Sequence, residues 1–179
     1  MTSPILWYLN RGTGLVLLAV FTLTVLVGIL SAGRGGRIWP RFVTQGVHRG
    51  LSLVSTILLL AHVLTAVTDE YVDIRWWQAL VPFGATYRPL YLSLGTLALD
   101  LTVAVGVTSL LRHRLSENAW RAVHLTSYGA WAVAVVHTLG IGTDAGDLLG
   151  RSVVVSCVAL VVVGGTARLV ALQRNASPA

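Results

Sequence analysis

Four of the five histidines in this chain of 179 residues fall inside long apolar runs, and their spacing is paired. His48 and His62 are 14 residues apart in one run, and His124 and His137 are 13 apart in another. Along a helix rising about 1.5 Å per residue, either interval separates two side chains by ~20 Å, so each run carries one imidazole near each of its ends. An imidazole at bilayer depth is costly unless something binds it, which makes intramembrane histidines functional candidates. A neutral imidazole has one nitrogen free to ligate a metal, and two imidazoles from facing helices fill both axial positions of a haem iron. One apolar run lies between the two histidine-bearing runs, so these point the same way through the membrane. His48 then lies level with His124, and His62 with His137. Two b-type haems at two depths, His48–His124 on the inner side and His62–His137 on the outer, are the expected cofactors, because one haem does not bridge a hydrocarbon core about 30 Å thick.

The elements that position these residues must be membrane helices. Apolar residues make up 55% of the chain and charged ones 11%, far below the roughly 25% of a water-soluble fold. Runs of about 18 or more apolar residues give five spans, at 15–32, 43–67, 90–111, 122–139 and 152–170. None alternates with the period of two that a barrel strand needs, so the predicted fold is all-α, a polytopic bundle of five transmembrane helices forming one haem-binding domain over 1–179. Arg34, Arg37 and Arg41 follow the first run at once, so it reads as a retained helix rather than a cleaved leader. Arginine bias orients the bundle. Arg34, Arg37, Arg41, Arg49, Arg112, Arg114, Arg121, Arg168 and Arg174 fall on one side, whereas Arg11, Arg75, Arg88 and Arg151 share the other with Asp69, Glu70, Asp73, Asp144 and Asp147. The N-terminus is expected outside, the C-terminus inside, and the location a multi-pass cell membrane.

Composition also excludes classes. The net charge of +6 comes from 13 arginines and no lysine, scattered between apolar runs rather than gathered in a stripe, so the bilayer is the expected partner and not nucleic acid. The single cysteine, Cys157, cannot build a thiolate cluster or a disulfide framework. The 68–89 segment, with Tyr71, Trp76, Trp77, Phe83 and Tyr87, suits a short interfacial stretch.

The histidine pattern resembles the ferric reductase-like transmembrane domain, the di-haem core shared with ferric reductases and NADPH oxidases. There, two helices separated by one other each carry two haem-ligating histidines, at 14 and 13 spacing. The resemblance covers most of the chain and assigns His48, His62, His124 and His137 as iron ligands. Complete members of that family continue into a flavin and NADPH domain. No glycine-rich nucleotide loop follows a strand here, and five spans stand where six are common. The likeness is therefore to the short bacterial form, an oxidoreductase electron-transfer subunit whose expected redox partner is a separate flavoprotein or a quinone.

Supporting residues are assigned on the same footing. Arg49 and Arg121 beside the inner histidines, and Arg11 at the outer end, are candidate haem-propionate partners, with Arg88 and Arg151 lesser ones. Trp131 lies midway between the two levels, as a bridge between haems or as a packing residue. Gly46, Gly50, Gly129 and Gly140 near the ligands are read as sites of close helix contact or of access for a flat macrocycle. Asp100, at the middle of the third span, is expected to be protonated or hydrogen-bonded inward to Thr or Ser. His113, between Arg112 and Arg114, is expected to be solvated. Two geometric solutions are open for the 13-residue spacing: a helix tilted or distorted near Gly129, or two haems at different azimuths. The rival functions are a quinol- or ascorbate-type cytochrome b, a proton or metal transporter using the same histidines, and a purely structural subunit.

Overall fold

The computed structural model describes residues 5–31, 40–69, 74–85, 87–141 and 147–176. Among the described residues five helices run in order: α1 (Ile5–Ser31), α2 (Arg41–Thr68), α3 (Pro89–Leu110), α4 (Glu117–Ile141) and α5 (Leu148–Ala176). Short 3-10 turns at Trp76–Ala79 and Arg112–Arg114 precede α3 and α4. No strand occurs among the described residues, so the chain is all-helical there. Arg34, Arg37, Glu70, Tyr71, Asp73 and Asp144, which entered the reading of topology or of the interfacial segment, lie outside the described residues.

Each helix begins or ends where local chemistry allows. Pro40 precedes the first turn of α2, and Pro89 opens α3, where its missing N–H costs nothing. Arg88 just before it takes a left-handed conformation, with φ of 38°. At α4 the Ser116 hydroxyl accepts from the Ala119 amide at 3.3 Å, and Glu117 places an acidic group in the first turn, where the helix dipole favours it. The helices overrun the apolar runs that predict them. α1 starts ten residues before the run at 15–32, because Trp7, Tyr8, Asn10 and Arg11 continue the helix past the apolar stretch.

Four helices, α1, α2, α3 and α5, are long and apolar enough to cross a membrane. α4 is 25 residues long but less apolar, since it carries Glu117, Asn118, Arg121, His124 and His137 in one segment. The outward faces agree with a lipid setting. Leu110 is 80% exposed and Leu148 88%, burial states that water would penalise and hydrocarbon would not.

The helices associate as two antiparallel hairpins, α1 with α2 and α3 with α4, and α1 also packs on α5 and α4. The buried apolar cluster sits at the α1–α4–α5 junction, where Leu18, Val135, Val154 and Cys157 meet. Trp131 packs against this cluster and its indole N–H donates to Thr22 Oγ1 at 2.9 Å. Trp131 is thus a bolt between α4 and α1. The 3-10 turn is held onto α3 by Gln78, which is buried: its amide donates to the Gly84 carbonyl and its own carbonyl accepts from Thr96 Oγ1, both at 3.0 Å. Trp76 and Phe83 project outward from that segment, 69% and 79% exposed, as an interfacial stretch requires.

Of the two alternatives for Asp100, the inward bond is not the one seen: it lies near the middle of α3 on the exposed outer face, with no bond to Thr or Ser among the described residues. Nearby Thr102 instead donates to its own helix, at the Ala98 carbonyl. His113 is exposed on its 3-10 turn, as expected of a solvated group.

Candidate functional site

His48, His62, His124 and His137 all line one cavity of about 1260 Å³ between the two hairpins. That exceeds the range of about 300–1,000 Å³ usual for a single small-molecule site. Trp7 and Arg11 lie among the lining residues from the start of α1, and Arg112, Trp120 and Arg121 among those at the α3–α4 turn and the start of α4.

Three of the imidazoles are seated in the same way. His62 Nδ1 lies 3.0 Å from the Asn10 carbonyl, His48 Nδ1 3.1 Å from the Thr24 carbonyl, and His137 Nδ1 2.7 Å from the Tyr91 carbonyl. A carbonyl only accepts, so in each case Nδ1 carries the proton and donates, and Nε2 is the nitrogen left with a lone pair. Four residues beyond each carbonyl, on the same helix, stands a glycine. A β-carbon added at Gly14 would lie 3.0 Å from His62 Cε1, one at Gly28 3.5 Å from His48 Cε1, and one at Gly95 2.5 Å from His137 Cε1. At Gly14 and Gly95 the glycine removes a side chain that would crowd the ring's approach to the carbonyl one turn earlier, whereas at Gly28 the contact is an ordinary one.

The two seats on α1 repeat at 14 residues, Asn10 to Thr24 and Gly14 to Gly28, matching the 14 between His48 and His62 on antiparallel α2. Fourteen residues are two heptads, a whole number of turns for helices that coil about each other, so both histidines of α2 face the same neighbour. Thirteen residues are not. From His137 to His124 the helix turns to a face about 140° away, and α4 runs as one α-helix through Gly129. His137 is seated on α3, while His124 meets different neighbours. The His124 ring stacks on Trp120 with centroids 4.9 Å apart, and its Nδ1 is buried without a hydrogen-bond partner among the described residues.

Across the cavity the His48 and His124 rings lie 6.1 Å apart, tilted by 59°. His62 and His137 are close enough for their charges to interact. The level-by-level partners expected from helix direction are thus neighbours in space. Among the described residues no three His, Cys, Asp or Glu side chains gather as a metal-holding group; the imidazoles come in twos.

The arginines divide. Arg11, Arg49 and Arg121 line the cavity. Arg11 lies over the Trp7 ring at 4.3 Å from its centroid, and Arg121 pairs with Glu117 at 3.5 Å on the exposed surface. Arg88 donates instead to the Gly140 carbonyl, tying the start of α3 to the end of α4. Trp131 is not among the lining residues, which leaves it the packing role. Of the glycines singled out on the histidines' own helices, Gly140 makes a close helix contact, since an added β-carbon would collide with the Tyr91 ring of α3, whereas one at Gly46, Gly50 or Gly129 would meet open space. The seats are on the opposing helices, where a residue and a glycine four positions later recur as Asn10/Gly14, Thr24/Gly28 and Tyr91/Gly95. A 14-residue echo in α1 of the histidine spacing in α2 was the available signal. Arg112, whose guanidinium lies 4.2 Å from the Trp120 ring centroid, joins the cavity lining without any sequence pattern that marks it.

A family of domains matches the chain over residues 5–144, a stretch that takes in α1 to α4, all four histidines and all three glycine seats. The chain belongs to the DUF8596 family. This is a domain of unknown function, so membership places the four histidines inside the family's matched region without assigning them a chemistry. No curated protein and no solved structure matches the chain.

Asn10 adds a clamp to its seat. Its side-chain amide donates to the His62 carbonyl at 2.8 Å and to Thr65 Oγ1 at 3.1 Å, while the acceptor for the imidazole is its backbone. Asn10→Ala is therefore expected to loosen the α1–α2 contact by about 1 kcal/mol, in line with interhelical hydrogen bonds in membranes, yet to leave His62 seated. A thermal melt in detergent should show the first effect, and an unchanged nitrogen NMR signal of the His62 imidazole the second.

Proposed function

We propose that this chain is a di-haem b-type membrane cytochrome, a ferric reductase-like oxidoreductase subunit that moves electrons across the bilayer. The observation that carries the reading is the set of four imidazoles lining one cavity in two cross-helix pairs, three of them with Nδ1–H committed to a backbone carbonyl. That commitment fixes the tautomer, orients the ring and raises the basicity of Nε2, which is how ligating histidines are commonly prepared. Two imidazoles on opposite sides of one metal, with metal–nitrogen bonds of about 2 Å, have ring centres about 6 Å apart. The His48–His124 separation of 6.1 Å fits that requirement. The cavity volume and its apolar helical walls suit two flat macrocycles better than a small ligand.

His48 with His124 would hold one haem, and His62 with His137 the other. A haem held this way would supply a one-electron ferric/ferrous couple. Around it the chain's own residues act by position. Arg11, Arg49 and Arg121, lining the cavity, would neutralise haem carboxylates; Trp131 stiffens the α1–α4 contact behind the site. Five spans, with the N-terminus outside and the C-terminus inside, complete the proposed topology. α4, the least apolar of the five, crosses because its histidines face the cavity rather than lipid. The donor is a separate flavoprotein or a quinone.

A proton or metal transporter is less well served by the same geometry. It would set acids beside the imidazoles, and Asp100, the mid-membrane acid, lies on the opposite, exposed face of α3. The deciding experiment is to purify the protein and record oxidised and reduced visible spectra with a haem-to-protein ratio. Two haems per chain with low-spin b-type bands are expected. A protein that remains colourless when expressed with ample haem sinks the proposal.

A further inference from the structure

The two imidazole pairs are not equivalent. His62 and His137 each donate Nδ1–H to a backbone carbonyl, so both members of that pair are hydrogen-bonded. In the other pair only His48 is, to the Thr24 carbonyl; His124 Nδ1 is buried with no partner among the described residues. The cause is helical phase. Keeping the antiparallel register that sets His137 on Tyr91 and Gly95, the residues level with His124 are Ala104 and Thr108. The 13-residue step turns His124 away from that face. No seat is provided there either: position 108 carries threonine where the other seats have glycine, and the Thr108 hydroxyl donates to the Ala104 carbonyl at 2.7 Å. His124 stacks on Trp120 instead, and Trp120 carries the Arg112 guanidinium over its ring.

Both differences act in one direction on a bound metal. An Nδ1–H donated to a carbonyl makes the imidazole more basic and so favours the higher-charged ferric state; an imidazole without an acceptor favours it less. Arg112 is also close enough to His124 for their charges to interact, and a nearby cation disfavours the ferric state again. At the other end the lining includes both Arg11 and Asp69, whose opposite charges offset.

We infer that the His48–His124 site holds its iron at a higher reduction potential than the His62–His137 site, because His124 is the ligand the fold leaves without an acceptor. This rests on the di-haem reading and adds a direction to it. With both groups bound, a single shared electron would rest on the His48–His124 iron, leaving the His62–His137 iron ferric, with no proton exchanged. Trp120 becomes a positioning residue, the group that stacks on the face of the His124 ring.

The test is a spectroscopic redox titration of the purified holoprotein, after its haem content has been measured. At least a tenfold difference in ferrous-to-ferric ratio between the sites is expected, which is about 59 mV for a one-electron couple. His62→Ala should leave the higher-potential haem and His124→Ala the lower. Trp120→Gln sets a neutral acceptor one turn before His124 and should narrow the split, whereas Trp120→Phe keeps a stacked ring without an acceptor and should preserve it. Two haems of equal potential, or a lower-potential haem lost in His124→Ala, overturn the inference while leaving the cytochrome reading intact. An undiminished split in Trp120→Gln overturns the assignment of its cause to Nδ1. A chain that binds no haem overturns the underlying reading, and the haem measurement reports that separately.

Discussion

Gly95→Ala, the addition of one methyl group to a helix that binds nothing itself, is expected to cut the haem content from two per chain to one. The added carbon would lie 2.5 Å from His137 Cε1 and 2.6 Å from Nδ1, so the ring must leave its place, and with it the bond to the Tyr91 carbonyl. Both the neighbour's backbone and the ring are rigid, so little can give. The same substitution at the other two seats should grade with distance. Gly14→Ala brings a carbon to 3.0 Å from the His62 ring and should weaken that haem's retention without abolishing it. Gly28→Ala reaches 3.5 Å from His48, an ordinary contact, and should leave both haems in place. Haem-to-protein ratios after purification, with helix content by circular dichroism as the control for folding, check the series. The order Gly95, Gly14, Gly28 is the prediction; equal losses at all three would show that the seats do not act through the rings.

Single and double histidine replacements should have equal effects within a pair. An iron that loses one axial imidazole keeps only one strong protein bond, and residues acting as a unit are not additive. His62→Ala, His137→Ala and the double variant should therefore each remove one haem and halve the reduced-minus-oxidised absorbance, leaving the His48–His124 site spectrally unchanged. His48→Ala and His124→Ala should do the reverse. Combining one replacement from each pair should leave a colourless protein. If His62→Ala and His124→Ala remove the same haem, the cross-helix pairing is wrong.

Much of this architecture is legible from composition and spacing. The helical class follows from the scarcity of charge and the length of the apolar runs, because hydrocarbon admits only backbones whose hydrogen bonds close on themselves. The four histidines announce themselves, since an imidazole inside an apolar run has to be bound by something. Their grouping into levels follows from the rise per residue and the direction of the helices. α4 remained visible as a helix although its histidines and polar first turns dilute its hydropathy below that of the other four.

The rest was decided in three dimensions. A backbone carbonyl is present at every residue, so nothing in the letters Asn10, Thr24 and Tyr91 marks them as acceptors; only the packing of α1 on α2 and α3 on α4 selects which carbonyls an imidazole reaches. Glycine is just as ambiguous. Gly14, Gly28 and Gly95 differ from Gly46 and Gly129 only in having a ring opposite them. Asp100 and Trp131 were left open for the same reason, that position along a helix fixes depth while azimuth depends on which neighbour each face meets. Depth is a property of sequence, at about 1.5 Å per residue. Partnership is a property of packing, and it is packing that seats three histidines and leaves His124 without an acceptor.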